Sequence, residues 1–194
     1  LYREMRAKEL RDLIVSALLL ALAFGIALSG GYHAFQQPVV LFIVVGMSLI
    51  AVSLSFVFHE LAHRLVARRF GYFVAYAMWT KGLLVELGCS FFGFIFAAPG
   101  AVIIRPKTLL WGTVALNQRR IGLISLARPA TNIALAVIFQ MLDFARLGLL
   151  FTLGTQINTW LDLFNLIPFG PLDGAKIFKW NLSLIHISEP TRPY

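Results

Sequence analysis

Apolar residues run in four long blocks, at 13–28, 39–58, 121–142 and 147–167. Each approaches the roughly 20 helical residues that cross the hydrocarbon core of a bilayer. A fifth block, 82–104, is comparably apolar, and the charges around it decide its path. Arg3, Arg6, Lys8 and Arg11 precede the first block, whereas the loop 29–38 contains neither Lys nor Arg. Arg64, Arg68, Arg69 and Lys81 follow the second block, and Arg105, Lys107, Arg119 and Arg120 lie beyond the fifth. The bias of Lys and Arg toward the cytoplasmic side puts the N-terminus inside and the loop 29–38 outside. Both ends of 82–104 then fall inside, so it reads as a re-entrant segment. Its glycines, Pro99 and its aromatic and β-branched residues predict strands or loop over helix. Irregular backbone at membrane depth must be covered by protein or face water, so such a segment implies a cavity. The third block goes out, the turn at 143–146 is external, and the fourth returns to Pro168 and Pro171 on the cytoplasmic side. The pattern predicts an all-α polytopic membrane protein of about four transmembrane helices, with a re-entrant, partly β segment between the second and third.

Composition supports that class. Of 194 residues, 59% are hydrophobic and 13% charged, and mean hydropathy is +0.79. A soluble domain carries roughly 25% charged residues, and disordered chains lack this apolar content. The formal net charge of +8 comes from short cationic clusters between apolar runs, a pattern of membrane topology that argues against a nucleic-acid partner. Cys89 stands alone, so the fold contains no intrachain disulfide. The chain opens on Leu1, residues 1–12 do not read as a signal peptide with a small-residue cleavage site, and they are expected to be a charged interfacial stretch that starts inside a longer protein. Beyond Asn181 the pattern breaks. Residues 1–181 are therefore expected to form one membrane-embedded domain, and 182–194 a non-native or disordered tail.

Chemistry begins at the foot of the second block, with His59-Glu60-Leu61-Ala62-His63. On a helix, residues four apart share a face one turn apart, so both imidazoles can reach one zinc ion. Glu60 can act as general base toward water whose pKa the ion lowers to about 7. Ionisable groups beside an uncharged apolar helix are costly, which favours a functional origin over a chance match. A hydrolytic zinc site has three protein ligands and an open position, so a third must come from elsewhere. His33 falls in the external loop, His186 in the tail, and Asp143 outside. Asp173 follows the fourth block on the side of His59 and His63. Topology selects Asp173, with Asp162 and Glu86 in reserve.

The chain resembles the site-2 proteases, zinc metalloproteases that cut transmembrane segments. The resemblance rests on His59-Glu60-Leu61-Ala62-His63 within an apolar helix, and on Phe164-Asn165-Leu166-Ile167-Pro168 followed by Leu172-Asp173-Gly174. It covers residues 39–179. It implies one Zn2+ held by His59, His63 and Asp173, catalysis by Glu60, and a substrate- or oxyanion-holding role for Asn165. It also implies a membrane-embedded strand region matching 82–104, a transmembrane protein as substrate, and a multi-pass place in the cell membrane with the active site toward the cytoplasm. The sequence departs from the family at Ala127-Arg128-Pro129-Ala130-Thr131-Asn132, where members often carry a Gly-Pro pair. Arg128 is expected to pair with Asp162 or Glu86, or to reach the cytoplasmic surface.

Other marked residues read as structural. Trp79, Trp111 and Trp180 suit membrane interfaces, and Trp160 helix packing. Phe91, Phe92, Phe94 and Phe96 suit lipid or core contacts, Asp12 a solvated interfacial turn, and Cys89 a small buried position. A catalytically silent scaffold and a metal transporter are the alternative functions. The retained histidines, Glu60 and Asp173 argue against the first, and the scarcity of polar residues across several helices argues against the second.

Overall fold

The computed structural model describes residues 2–187 except 107, 110, 111, 114–116, 147 and 171. The expectations for Lys107, Trp111, Pro171, the His186 side chain and residues 188–194 lie outside that description. In chain order the elements are α1 (Tyr2–Leu28), a 3₁₀ turn (Gly31–Gln36), α2 (Pro38–Arg69), β1 (Tyr72–Met78), α3 (Thr80–Ser90), β2 (Gly100–Pro106), β3 (Thr108–Leu109), β4 (Gly112–Thr113), α4 (Gln118–Phe144), α5 (Leu149–Leu166) and α6 (Asp173–Ile187).

All four apolar blocks are helical, and three of the helices are long and apolar enough to cross a membrane: Ala7–Leu28, Pro38–Arg69 and Gln118–Phe144. Pro38 opens α2, where a missing N–H costs nothing, and Arg68 and Arg69 close it against the negative end of the helix dipole. Asn117 caps α4, its side-chain oxygen accepting from the Arg119 N–H at 2.9 Å. The fourth block forms α5, which has 18 residues and does not meet the same measure. The reason lies in Gln156, Asn158, Asp162 and Asn165. The last three are buried, while Leu149 and Leu163 face outward, so its polar side is turned into the protein.

The segment 82–104 departs from expectation in its first half. Residues 80–90 form a helix, because Gly82, Leu83, Glu86 and Ser90 recur on one buried face at helical spacing. The strand that pairs with its second half lies upstream: β1 and β2 run antiparallel, from Tyr72↔Pro106 to Met78↔Gly100. The segment leaves and returns at one place, with the Trp79 N–H donating to the Pro99 carbonyl at 3.0 Å. Its tip reaches the first connection, where the Tyr32 N–H donates to the Phe91 carbonyl at 2.8 Å. Asp12 is a further difference. It sits inside α1 at 6% exposure, 3.1 Å from the Arg11 guanidinium, and is no solvated turn.

The core is built by α1, α2 and α5 around the hairpin, with Leu20, Phe24, Val52, Phe56, Tyr76, Ile157 and Leu161 packed together. A smaller cluster of Ala67, Tyr72 and Ile124 joins the hairpin to α2 and α4. Lipid is as apolar as leucine, so helices in a membrane associate through close packing more than through the hydrophobic effect. Gly25 shows this: a Cβ there would collide with Val45 of α2. Phe42, Phe144 and Met141 point outward instead. Trp160 stacks on Phe164, as its packing role required, while Phe92 is exposed and Phe94 and Phe96 meet Phe164 edge-on.

Candidate metal centre

Helical geometry alone places His59 and His63 on one face of α2, with ring centroids 5.6 Å apart. Both are buried, at 3% and 0% exposure. The His63 Nδ1 lies 2.8 Å from the Ile124 carbonyl, which can only accept, so Nδ1 carries the proton and Nε2 offers its lone pair. Neither Nε2 has a hydrogen-bond partner, and neither carboxylate oxygen of the buried Glu60 has one. Buried polar atoms without partners are rare in a folded chain and point to something missing from the site.

The carboxylate that the fold brings to these histidines is Asp173. Its Oδ2 lies 3.3 Å from His63 Nε2, while its Oδ1 accepts from Lys176 Nζ at 2.9 Å. Lys176 also donates to the Val102 carbonyl of β2 at 3.0 Å, tying the start of α6 to the hairpin. Gly174 allows the approach, because a Cβ there would run into the Leu166 and Ile167 backbone at the end of α5. Burial alone would push the Asp173 carboxyl up, but the Arg128 and Lys176 cations bonded to it hold it well below the usual carboxylate range. Glu86 on α3 and Asp162 on α5 are buried elsewhere, and neither pairs with a histidine.

Arg128 corrects the sequence reading. It is fully enclosed, at 1% exposure, and pairs neither with Asp162 nor with Glu86. Its Nε donates to His59 Nδ1 at 3.1 Å and its Nη1 to Asp173 Oδ2 at 3.2 Å. The turn of α4 that carries Arg128 faces α2 and α6, whereas Glu86 belongs to a helix packed on α1. Asn165 is fully buried in the last turn of α5. Its Nδ2 donates to the Leu161 carbonyl at 2.6 Å and its Oδ1 is unpartnered. Lys176 was missed from the sequence, although its place three residues after Asp173 on a helix is the spacing at which side chains meet.

Two imidazoles and a carboxylate, buried together, are donors of the kind zinc takes, and the partnerless lone pair of His63 Nε2 suits it. As they stand, no three His, Cys, Asp or Glu side chains among the described residues converge closely enough to hold a metal. The Arg128 guanidinium engages two of the three donors. Because it donates to His59 Nδ1, neutral His59 keeps its proton on Nε2. His63 is thus already in a ligating form, whereas the lone pair of neutral His59 is taken up by Arg128.

Fold and site together define a helical membrane protein with a buried donor set of two histidines and an aspartate beside an unpaired glutamate. The chain is 39% identical over 180 residues to the protein named putative zinc metalloprotease MJ0611 of Methanocaldococcus jannaschii, covering 90% of this chain and 85% of that one. It is 32% identical over 153 residues to putative zinc metalloprotease YwhC of Bacillus subtilis, covering 68% and 67%. Putative zinc metalloprotease Rip3 of Mycobacterium tuberculosis is 29% identical over 160 residues, which are 77% of this chain and 33% of Rip3. No family model and no solved structure matches it. The chain belongs to the site-2 protease family of zinc metalloproteases.

Proposed function

We propose that this protein is an intramembrane zinc metalloprotease of the cell membrane, holding one zinc ion and hydrolysing peptide bonds in or near transmembrane segments of other membrane proteins. The observation that carries the reading is the meeting of Asp173 with His63, 3.3 Å apart and buried, one helical turn from His59 and beside the unpaired Glu60. Sequence-distant donors that converge where burial is costly need a chemical reason. His59, His63 and Asp173 would hold the metal. Zinc, when bound, supplies Lewis acidity and acidifies water near neutral pH.

The remaining work belongs to the chain. A substrate helix satisfies its own backbone hydrogen bonds, so its carbonyls are shielded until it unwinds locally. Unwound backbone then finds partners along the outer edge of the β1–β2 pair, by strand addition. Glu60 takes a proton from the attacking water and returns it to the leaving amine. Asn165, with one Nδ2 hydrogen committed to Leu161, retains a second for the oxyanion. Lys and Arg clusters at 64–69 and at 119–120 support a cytoplasmic orientation for the site.

Glu60→Gln is the decisive variant. It keeps shape and ligands while removing the base, so cleavage of a model membrane helix should fall by about 10³-fold or more, with zinc content unchanged by elemental analysis. Wild-type cleavage by purified Glu60→Gln protein would exclude Glu60 as the base.

A further inference from the structure

The outer edge of the hairpin already holds an acceptor that does not belong to any strand. Trp79 extends the β1 ladder by donating to Pro99, so residues 73, 75 and 77 turn their N–H groups toward β2, and the even-numbered residues face away. On that far edge the Tyr76 N–H donates to Glu9 Oε1 of α1 at 3.0 Å. The same oxygen accepts from Arg64 Nη2 of α2 at 2.6 Å. A carboxylate oxygen therefore stands where the carbonyl of an added strand would stand. Beside it a cavity of about 400 Å³ opens between α1 and α2, lined by Leu10, Leu13, Phe56, Leu61, Arg64 and Glu60. Its lining is apolar except for Ser53, Glu60 and Arg64.

We propose that this groove seats an extended apolar peptide segment and that Glu9 is its built-in occupant. In the closed form Glu9 caps the Tyr76 edge amide and Arg64 holds it there. The incoming peptide displaces Glu9, takes over the Tyr76 N–H with a backbone carbonyl, and runs along β1 past Glu60. The proposal deepens the protease reading and rests on it. Physical chemistry favours such a plug: an edge amide buried in the protein is costly to leave unpaired, and a bare edge invites indiscriminate strand pairing. Partial exposure of the pair, 18% for the Glu9 side chain and 38% for Arg64, lets the contact open toward the surface.

Hydrogen exchange of the full chain in detergent tests it. In Glu9→Ala the peptide covering 72–78 should gain one fast-exchanging amide, with other amides unchanged, and Glu9→Gln, which keeps an acceptor, should fall between Glu9→Ala and wild type. Binding is read in the uncleaving Glu60→Gln background with a fluorescent peptide of about 20 apolar residues carrying a central Gly-Pro. Adding Glu9→Ala should tighten that binding roughly three- to tenfold, the worth of one displaced hydrogen bond. Unchanged exchange at Tyr76, or faster exchange without tighter binding, overturns the proposal. Tighter binding by variants whose Glu60-containing forms cut nothing would uphold the plug and sink the protease reading; cleavage by wild type with no effect of Glu9→Ala would do the reverse.

Discussion

The two turns that supply the metal donors, 59–63 on α2 and 173–176 on α6, are built on different principles. In the first, the positions of His59, Glu60 and His63 follow from 3.6 residues per turn, and any α-helix would set them as a group. In the second, Asp173 is in place only because Gly174 lets α6 press on the end of α5, Lys176 ties one carboxylate oxygen to β2, and Arg128 takes the other. The first is rigid by local hydrogen bonding, and the second is an assembly of long-range contacts. Damage to the second should therefore cost metal and stability while leaving the α2 donors intact.

The largest effect expected is on zinc. Asp173→Ala should weaken zinc binding roughly a thousandfold, about one ligand's share of a structural-site affinity of about 10–16 kcal/mol. Competition with a chelator measures it, and an unchanged affinity would mean that the two turns do not share a metal. Next comes Arg128→Met, which strips a buried cation from His59 and Asp173. Metal-free protein should lose about 3 kcal/mol of stability, and saturating zinc should narrow that gap, because the ion takes over the charge that Arg128 supplied. Denaturant titration with and without zinc decides it; a gap that widens in zinc would show that Arg128 and the metal act together. Gly174→Ala forces α6 away from α5 and should cost about 2 kcal/mol, with weaker zinc binding as a consequence, whereas Gly46→Ala on the open face of α2 should cost neither. The smallest effect is that of Lys176→Met. Freed from β2, the carboxylate should bind zinc about tenfold less tightly, and a matching loss on altering His63 contacts alone would erase the distinction between the turns.

The same contrast explains what could be read from residues alone. The apolar blocks are long, so all four helices were legible, whereas the enclosure of Asn158, Asp162 and Asn165 on one side of α5 depends on packing against its neighbours. The helix over 82–90 was not legible because Gly82 and the flanking aromatics weigh locally toward loop, while the buried face of Leu83, Glu86 and Ser90 forms only against α1. Arg128 was misassigned for a related reason. A buried guanidinium needs an anionic partner, and which one it meets depends on the crossing of α2, α4 and α6.

By itself the sequence determined the membrane class, the helical blocks, the His59-Glu60-His63 face and Asp173 as the carboxylate to look for, because these depend on hydropathy, helical period and charge bias. Only the tertiary structure decided that Asp173 meets His63, that Arg128 engages two of the donors, that Lys176 links them to the hairpin and that Glu9 caps its edge. These are contacts between residues 45 to 110 positions apart or across separate helices, as between His63 and Asp173, 3.3 Å apart. No local rule encodes them, since each exists only after whole helices have packed.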